Sequence, residues 1–210
     1  MGTVSDRLKD VYQIKGADEA RRFYDAWAGD YDAEMERQRF VTPRRCAEAL
    51  KQCAGSVEGV VADLGCGTGL AGLALSETGF KAIDGFDLSE GMLEKARAKS
   101  VYRNLGTVDL SKPDALPQSL SAGPYDHAVA VGVLSPDLMP VNVIDKILDV
   151  LNPSGVFVFS INEHHAADGM IDGRVMELTD CGYADLLMRE KGEHLPGIEL
   201  ESTVYAMRKH

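Results

Sequence analysis

Val60-Val61-Ala62-Asp63-Leu64-Gly65-Cys66-Gly67-Thr68-Gly69-Leu70 is the stretch on which the fold turns. An apolar run closes on an acid, glycines follow at alternate positions 65, 67 and 69, and a helical pattern opens at Leu70. Glycine at such a turn lets the backbone take positive φ and lets a ligand come close to the main chain. Strand, glycine turn and helix in that order make the first half of a strand–helix–strand unit.

Outward from this turn the same alternation repeats. Ala20, Phe23, Tyr24 and Trp27 recur at helical spacing after the cap candidate Asp18. Thr42-Pro43 opens a second helix whose apolar face is Cys46, Ala47, Leu50, Cys53 and Ala54. Beyond the glycine turn the pattern predicts a helix from Leu70 to Ser76 that Gly79 ends, and a strand over Ala82-Ile83-Asp84-Gly85-Phe86. A Ser89-capped helix to Lys99 follows, then a weaker strand from Leu105 to Val108 and a strand from Tyr125 to Val133. A stripe at Ile144, Ile147, Leu148 and Leu151 stops at Asn152-Pro153-Ser154-Gly155, ahead of a strand from Val156 to Ile161. The runs at 60, 128 and 156 are continuously apolar, as strands covered on both faces are. Near the C-terminus the reading changes to a helix over Val175–Asp180. A hairpin then follows, with strands 183–191 and 203–209 flanking Gly192-Glu193-His194-Leu195-Pro196-Gly197. The fold class is therefore α/β, a mostly parallel sheet with helices on both faces and an antiparallel end. Residues 1–16 are polar and weakly patterned and are expected to be mobile, with a single domain over 17–210.

With 210 residues, 45% of them hydrophobic, the chain is long enough for one well-buried core. The formal net charge of −11 disfavours nucleic acid and anionic membranes as partners. The first twenty residues hold no apolar h-region, which predicts no signal peptide. Cys46, Cys53, Cys66 and Cys181 form no CxxC and no zinc spacing with histidine, so they read as reduced thiols of a cytoplasmic protein with no metal.

The glycine turn admits two ligand classes. A dinucleotide fingerprint needs a further glycine three residues after the second. Gly65 and Gly67 place Leu70 there, whereas the shifted frame Gly67-x-Gly69-x-x-Gly72 supplies it two residues late. Asp63, at the strand end, suits an ammonium or sulfonium better than a pyrophosphate. Asp87 lies 22 residues beyond Gly65 at the end of the next strand, where a carboxylate accepts ribose hydroxyls. Asp109-Leu110 ends the third strand, where an acid meets an adenine amino group and a leucine packs on the ring.

Asp63-x-Gly65-x-Gly67-x-Gly69, then Asp87-Leu88-Ser89-x-x-Met92-Leu93, then Asp109, resembles the class I S-adenosylmethionine-dependent methyltransferases. Three further stretches resemble the Williams–Beuren-region methyltransferase-like proteins within that superfamily: Phe23-Tyr24-Asp25-x-Trp27-Ala28-x-Asp30-Tyr31-Asp32, Val131-Gly132-Val133-Leu134-Ser135 and Leu195-Pro196-Gly197. The resemblance implies a Rossmann-like seven-stranded sheet of order 3-2-1-4-5-7-6 with strand 7 antiparallel. It implies S-adenosylmethionine as cofactor. Gly65, Gly67 and Gly69 would then cradle the methionine part, with Cys66 inside the loop and no chemistry assigned to its thiol. Asp87 would hold the ribose, Leu88 and Met92 would lie near the adenine, and Asp109 and Leu110 would hold its edge. Val131 would offer its carbonyl to the cofactor ammonium.

Methyl transfer is an in-line displacement in which the protein aligns and desolvates the acceptor. Acceptor contacts are expected from the N-terminal helix and from the loops after strands four and five. Tyr24, Trp27 and Tyr31 belong to the first, set against plain core packing for Phe23 and Trp27; residues 17–40 are read as a lid whose rings close over a sulfonium. Asn162-Glu163-His164-His165 follows strand five, and His164 or His165 joins Tyr31 as a catalytic candidate, with a metal site through Asp168 as the minor alternative. His127 reads as structural. The expected acceptor is a small molecule. The alternatives are a cofactor-binding protein without methyl transfer and, from the shifted glycine frame, an NAD(P)-dependent oxidoreductase.

Overall fold

The computed structural model describes residues 6–116, 120, 124–135, 138–166 and 169–210. Its strands are β1 (Val60–Leu64), β2 (Ala82–Asp87), β3 (Asn104–Thr107), β4 (Tyr125–Ala130), β5 (Leu151–Asn162), β6 (Ala184–Leu195) and β7 (Leu200–Lys209). They form one sheet of order β3-β2-β1-β4-β5-β7-β6. The first five pair in parallel, and β7 runs antiparallel between β5 and β6. This is the Rossmann-like order that the resemblance implied.

The helices are α1 (Asp6–Asp10), α2 (Ala17–Trp27), α3 (Tyr31–Arg37), α4 (Thr42–Ala54), α5 (Leu70–Thr78), α6 (Glu90–Ala98), α7 (Val143–Asp149), α8 (Glu163–Ala166) and α9 (Met170–Asp180). None of the described helices is long and apolar enough to cross a membrane. Successive residues of each strand go to opposite faces of the sheet. Val61, Val129, Val158 and Val204 meet Cys46, Leu50 and Leu75 of α4 and α5 on one face. Ala62, Ala128, Phe157 and Tyr205 meet Ile144, Ile147, Val175 and Leu178 of α7 and α9 on the other. The continuous apolar runs in the sequence are this double coverage.

Several boundaries differ from the sequence reading, two of them in kind. Asn152-Pro153-Ser154-Gly155 lies inside β5, where the register to β4 shifts between Tyr125 and His127. The Asn152 amide donates to Asp126 at 2.9 Å, and Ser154 takes φ +66, so the turn-forming residues make an irregularity in a strand. The hairpin turn sits at Pro196–Ile198 rather than at 192–197. Arg45 of α4 ties β6 to β7 beyond Lys191 by donating to the carbonyls of Glu190 and Glu193 at 3.0 and 2.8 Å and of Ser202 at 3.2 Å. The segment expected to be mobile carries α1 and a 3-10 turn at Val11–Gln13; Leu8 and Ile14 are buried, and Arg7 pairs with Asp30 at 2.9 Å. Residues 1–5 lie outside the described part.

Candidate functional site

The chain order reverses between β1 and β4, and ligands of open α/β sheets bind outside the carboxyl ends of the strands at such a point. A cleft of about 800 Å³ opens there. Gly65 and Gly67 line it from the turn after β1, Asp87, Leu88 and Met92 from the end of β2 and α6, and Val108 to Ser111 from beyond β3. Val131, Gly132 and Val133 close the β4 side, with Tyr24, Tyr31, Ala17 and Ala20 over the top. A smaller hollow of about 300 Å³ shares Tyr31, Gly65, Gly67 and Val131 and runs under Cys66, Thr68, Leu70 and Ala71.

The three glycines of the turn have separate reasons to be glycine. Gly65, Gly67 and Gly69 all have positive φ, at +71, +54 and +93. A Cβ on Gly65 would lie 2.3 Å from a Val133 methyl, and one on Gly69 would press on Tyr102 and Lys99 at 3.1 and 3.2 Å. A Cβ on Gly67 would meet nothing within 4 Å. Gly67 alone therefore faces open ligand space. Gly69, not a lining residue, starts α5 where it crosses α6. Gly72, the third member of the shifted dinucleotide frame, is filled by protein: its Cβ would stand 2.2 Å from the Tyr102 hydroxyl.

Asp87 is fixed by the main chain. One carboxylate oxygen accepts from the Gly67 amide at 2.8 Å and the other from the Ser89 amide at 2.9 Å. Burial pushes its pKa up, and the amides of Ser89, Gly67 and Leu88 oppose that. Ser89 caps α6 by accepting from the Met92 amide at 3.1 Å, a contact on the order of 1 kcal/mol. At Asp109, burial alone would raise the pKa, but the Ser111 hydroxyl and amide and Lys112 outweigh it and the net shift is downward. Tyr24 and Tyr31 have phenol pKa values raised first by burial and further by nearby Asp87. Both stay protonated at neutral pH, so they are donors rather than bases.

Asp63 is not among the lining residues. It is fully buried behind the turn and accepts from the Tyr102 hydroxyl at 2.7 Å. Burial pushes its carboxyl up to about 7, against the hydrogen bond from Tyr102, while Asp87 raises it further. Cys66 is buried and lines the smaller hollow, and burial raises its thiol. Trp27, only 2% exposed, packs with Leu8, Met35, Leu195 and Leu200 rather than lining the cleft. Its ring meets that of Tyr31 edge-on at 4.8 Å. His164 is exposed and sits against the Tyr12 ring at 4.6 Å, outside the cleft lining. The side chain of His165 and all of Asp168 lie outside the described residues. The reading of the sequence missed Leu138 and Met139, which line the β4 side of the cleft, whereas Ala17 and Ala20 above it fall in the stretch 17–40 read as a lid. Leu138 and Met139 carry no chemical signature, and only the chain after β4 brings them there.

The cleft fits S-adenosylmethionine. It offers a bare backbone face at Gly67, a carboxylate at the end of β2, an apolar slot of Leu88, Met92, Val108 and Leu110 for a flat ring, and two aromatic side chains above.

Residues 61–155 match a family described as a methyltransferase domain. The chain is 33% identical over 155 residues to human Methyltransferase-like protein 27, covering 73% of this chain and 62% of that protein. It is 27% identical over 152 residues to a Clostridium botulinum ribosomal protein L11 methyltransferase, covering 72% of this chain and 45% of the relative. The chain thus spans less than two thirds of either relative. Two solved structures share the fold. A putative RNA methyltransferase from Pyrococcus horikoshii aligns at TM-score 0.56 and 15% identity, over 79% of this chain and 81% of that one. The glycopeptide N-methyltransferase MtfA, in complex with S-adenosyl-L-homocysteine, aligns at TM-score 0.58 and 14% identity, over 81% and 90%.

These relatives overturn one expectation. The assignment of a small-molecule acceptor, with nucleic acid excluded, does not stand beside relatives named for a ribosomal protein and for RNA. The physical reason is that net charge describes a whole surface, whereas acceptors are chosen by the few loops around a cleft. Strand order, glycine turn and matched stretch agree: the sheet has the order that the resemblance implied, and residues 61–155 are similar to a methyltransferase domain.

Proposed function

We propose that the protein transfers a methyl group from S-adenosylmethionine, and that the cleft at the β1/β4 reversal is where it does so. The observation that carries this is Gly67, a positive-φ residue with open space before it, whose amide is locked to Asp87 across the cleft floor. In this reading Gly65 and Gly67 pass beneath the methionine part, Asp87 takes the ribose hydroxyls, and Leu88, Met92 and Leu110 hold the adenine, with Asp109 at its edge. Val131 supplies a carbonyl toward the ammonium.

The sulfonium brings the electrophile, so the protein's part is alignment and exclusion of water. Tyr24 and Tyr31 cover the reacting side as protonated phenols that orient an acceptor without deprotonating it. Val133, Leu138, Met139, Ala17 and Ala20 form an apolar wall, so the acceptor presents an apolar surface beside its nucleophilic atom. His164 stands outside this wall. Cytoplasmic residence fits the four free cysteines.

Calorimetry with S-adenosylmethionine, S-adenosylhomocysteine and NADH tests the assignment. Both sulfur compounds should bind and NADH should not. Asp87→Ala should weaken their binding by about 1.5–3 kcal/mol, the scale for charge-assisted hydrogen bonds, while the protein stays folded. Absence of binding by the unaltered protein would overturn the reading.

A further inference from the structure

Two carboxylates of the N-terminal helices hold the turns on either side of the cleft, Asp25 at the start of α6 and Asp32 at the glycine turn. Asp25, on α2, uses one oxygen twice: it accepts from the Ser89 hydroxyl at 2.6 Å and from the Gly91 amide at 3.0 Å. It thus adds a second cap, from a distant part of the chain, to a helix start that Ser89 already caps. Ser89 in turn donates its amide to Asp87. Asp32, on α3, divides its oxygens. One accepts from the Thr68 hydroxyl within the glycine turn at 2.5 Å, and the other takes Lys99 at 2.6 Å. Lys99 also donates to the Thr68 carbonyl at 2.7 Å, so turn, α3 and the end of α6 close into a ring of three side chains.

We propose that Asp25 and Asp32 are positioning residues for cofactor binding, each holding one half of the cradle from the helices that cover it: Asp25 through Ser89 to the ribose carboxylate Asp87, Asp32 through Thr68 to the glycine turn. The run Asp25, Asp30, Asp32, Glu34 and Glu36 has the composition of a solvated face. Asp30 and Glu36 of the same stretch behave that way, whereas Glu34 is buried and accepts from Gln38 and Arg37. Asp30 is exposed and pairs with Arg7, and Glu36 is exposed too. Asp25 and Asp32 differ because their partners are the amides and hydroxyls of the two turns on which a ligand would rest.

The consequence is reciprocal. A ligand that steadies Gly67 and Asp87 steadies the partners of α2 and α3, and a covering segment held by both latches preforms the cradle. The inference rests on the cofactor assignment above, and its test separates the two. S-Adenosylhomocysteine binding is measured by calorimetry for the unaltered protein, Asp25→Ala, Asp32→Ala and the control Asp30→Ala. Each latch variant should bind at least tenfold more weakly, and the control should stay within twofold. Asp32→Glu, which keeps a carboxylate for Lys99, should recover part of the loss. Amide exchange without ligand gives an independent arm: Gly91 should exchange faster in Asp25→Ala and Thr68–Gly69 faster in Asp32→Ala, with circular dichroism unchanged. If the unaltered protein fails to bind, the cofactor assignment falls, and the exchange arm still decides the latches. If it binds and both variants bind equally well, or exchange is unaltered, the positioning role is wrong.

Discussion

Asp63 shows how a residue can be chosen for its turn yet act behind it. Its carboxyl is fully buried, with a pKa pushed from 3.8 up to about 7. Since the folded value lies above the unfolded one, the native state keeps a proton that the unfolded chain has released between about pH 4 and 7. This group's contribution to stability is therefore greatest at the acid end of that window and falls as pH rises through it. Asp87, also raised by burial, acts in the same direction. Urea unfolding of the ligand-free protein at several pH values, against Asp63→Asn, checks this. The substitution should flatten the fall in stability between pH 4 and 7, and an unchanged slope would show that Asp63 is ionised throughout. Tyr102 loses nothing in the exchange, because the amide oxygen still accepts its hydroxyl.

At the scale of elements, α2 has two faces with different duties. Tyr24 looks into the cleft, whereas Trp27 is sealed among Leu8, Met35, Leu195 and Leu200, joining the N-terminal helices to the turn between β6 and β7. Trp27→Ala should therefore cost roughly 3–5 kcal/mol in denaturant unfolding, the range for emptying a buried aromatic site. Trp27→Phe should leave S-adenosylhomocysteine affinity nearly unchanged; a large loss of affinity in that variant would restore Trp27 to the ligand. Helical spacing told that Trp27 lies on an apolar face, but spacing is silent on whether a face meets protein or ligand. The strands and the sheet order were legible because β1, β4 and β5 are buried on both sides and show it in continuous apolar runs. The places of Gly67, Asp87 and Leu110 on the cleft were legible because a glycine turn and strand ends have fixed positions in this topology. The helix at Tyr31–Arg37 and the wall of Leu138 and Met139 were not, since charged short helices and apolar loop residues carry no periodic mark. The Asn-Pro-Ser-Gly stretch misled for a tertiary reason: pairing with β4 and the Asp126–Asn152 contact hold it in the sheet.

For the molecule as a whole, a cofactor bridging the turns after β1, β2 and β3 and the covering helices, as proposed, would bind only the folded chain. Its free energy is then added to stability, about 2.7 kcal/mol at a hundredfold excess over Kd. For a chain of this size roughly 2–4 °C accompany each kcal/mol, so a thermal scan with S-adenosylhomocysteine should rise by about 5–11 °C. NADH at the same concentration should not move it. The net charge of −11 remains a statement about the long-range field, which draws cations and repels polyanions at low salt. On the proposed reading the acceptor is chosen locally, at the apolar wall.

Tyr102 carries a consequence for kinship. Its ring occupies the space that side chains would need at Gly72 and also at Gly85, where a Cβ would lie 2.8 Å from it. Positions 72, 85 and 102 are therefore one volume shared three ways, and they are not free to drift separately. A lineage that acquires alanine at 72 or 85 must first shrink residue 102, and in doing so strips Asp63 of its hydroxyl donor. Substitutions at these four places should travel together through the descendants of this chain, and a glycine count that resembles a dinucleotide signature is the visible trace of a tyrosine.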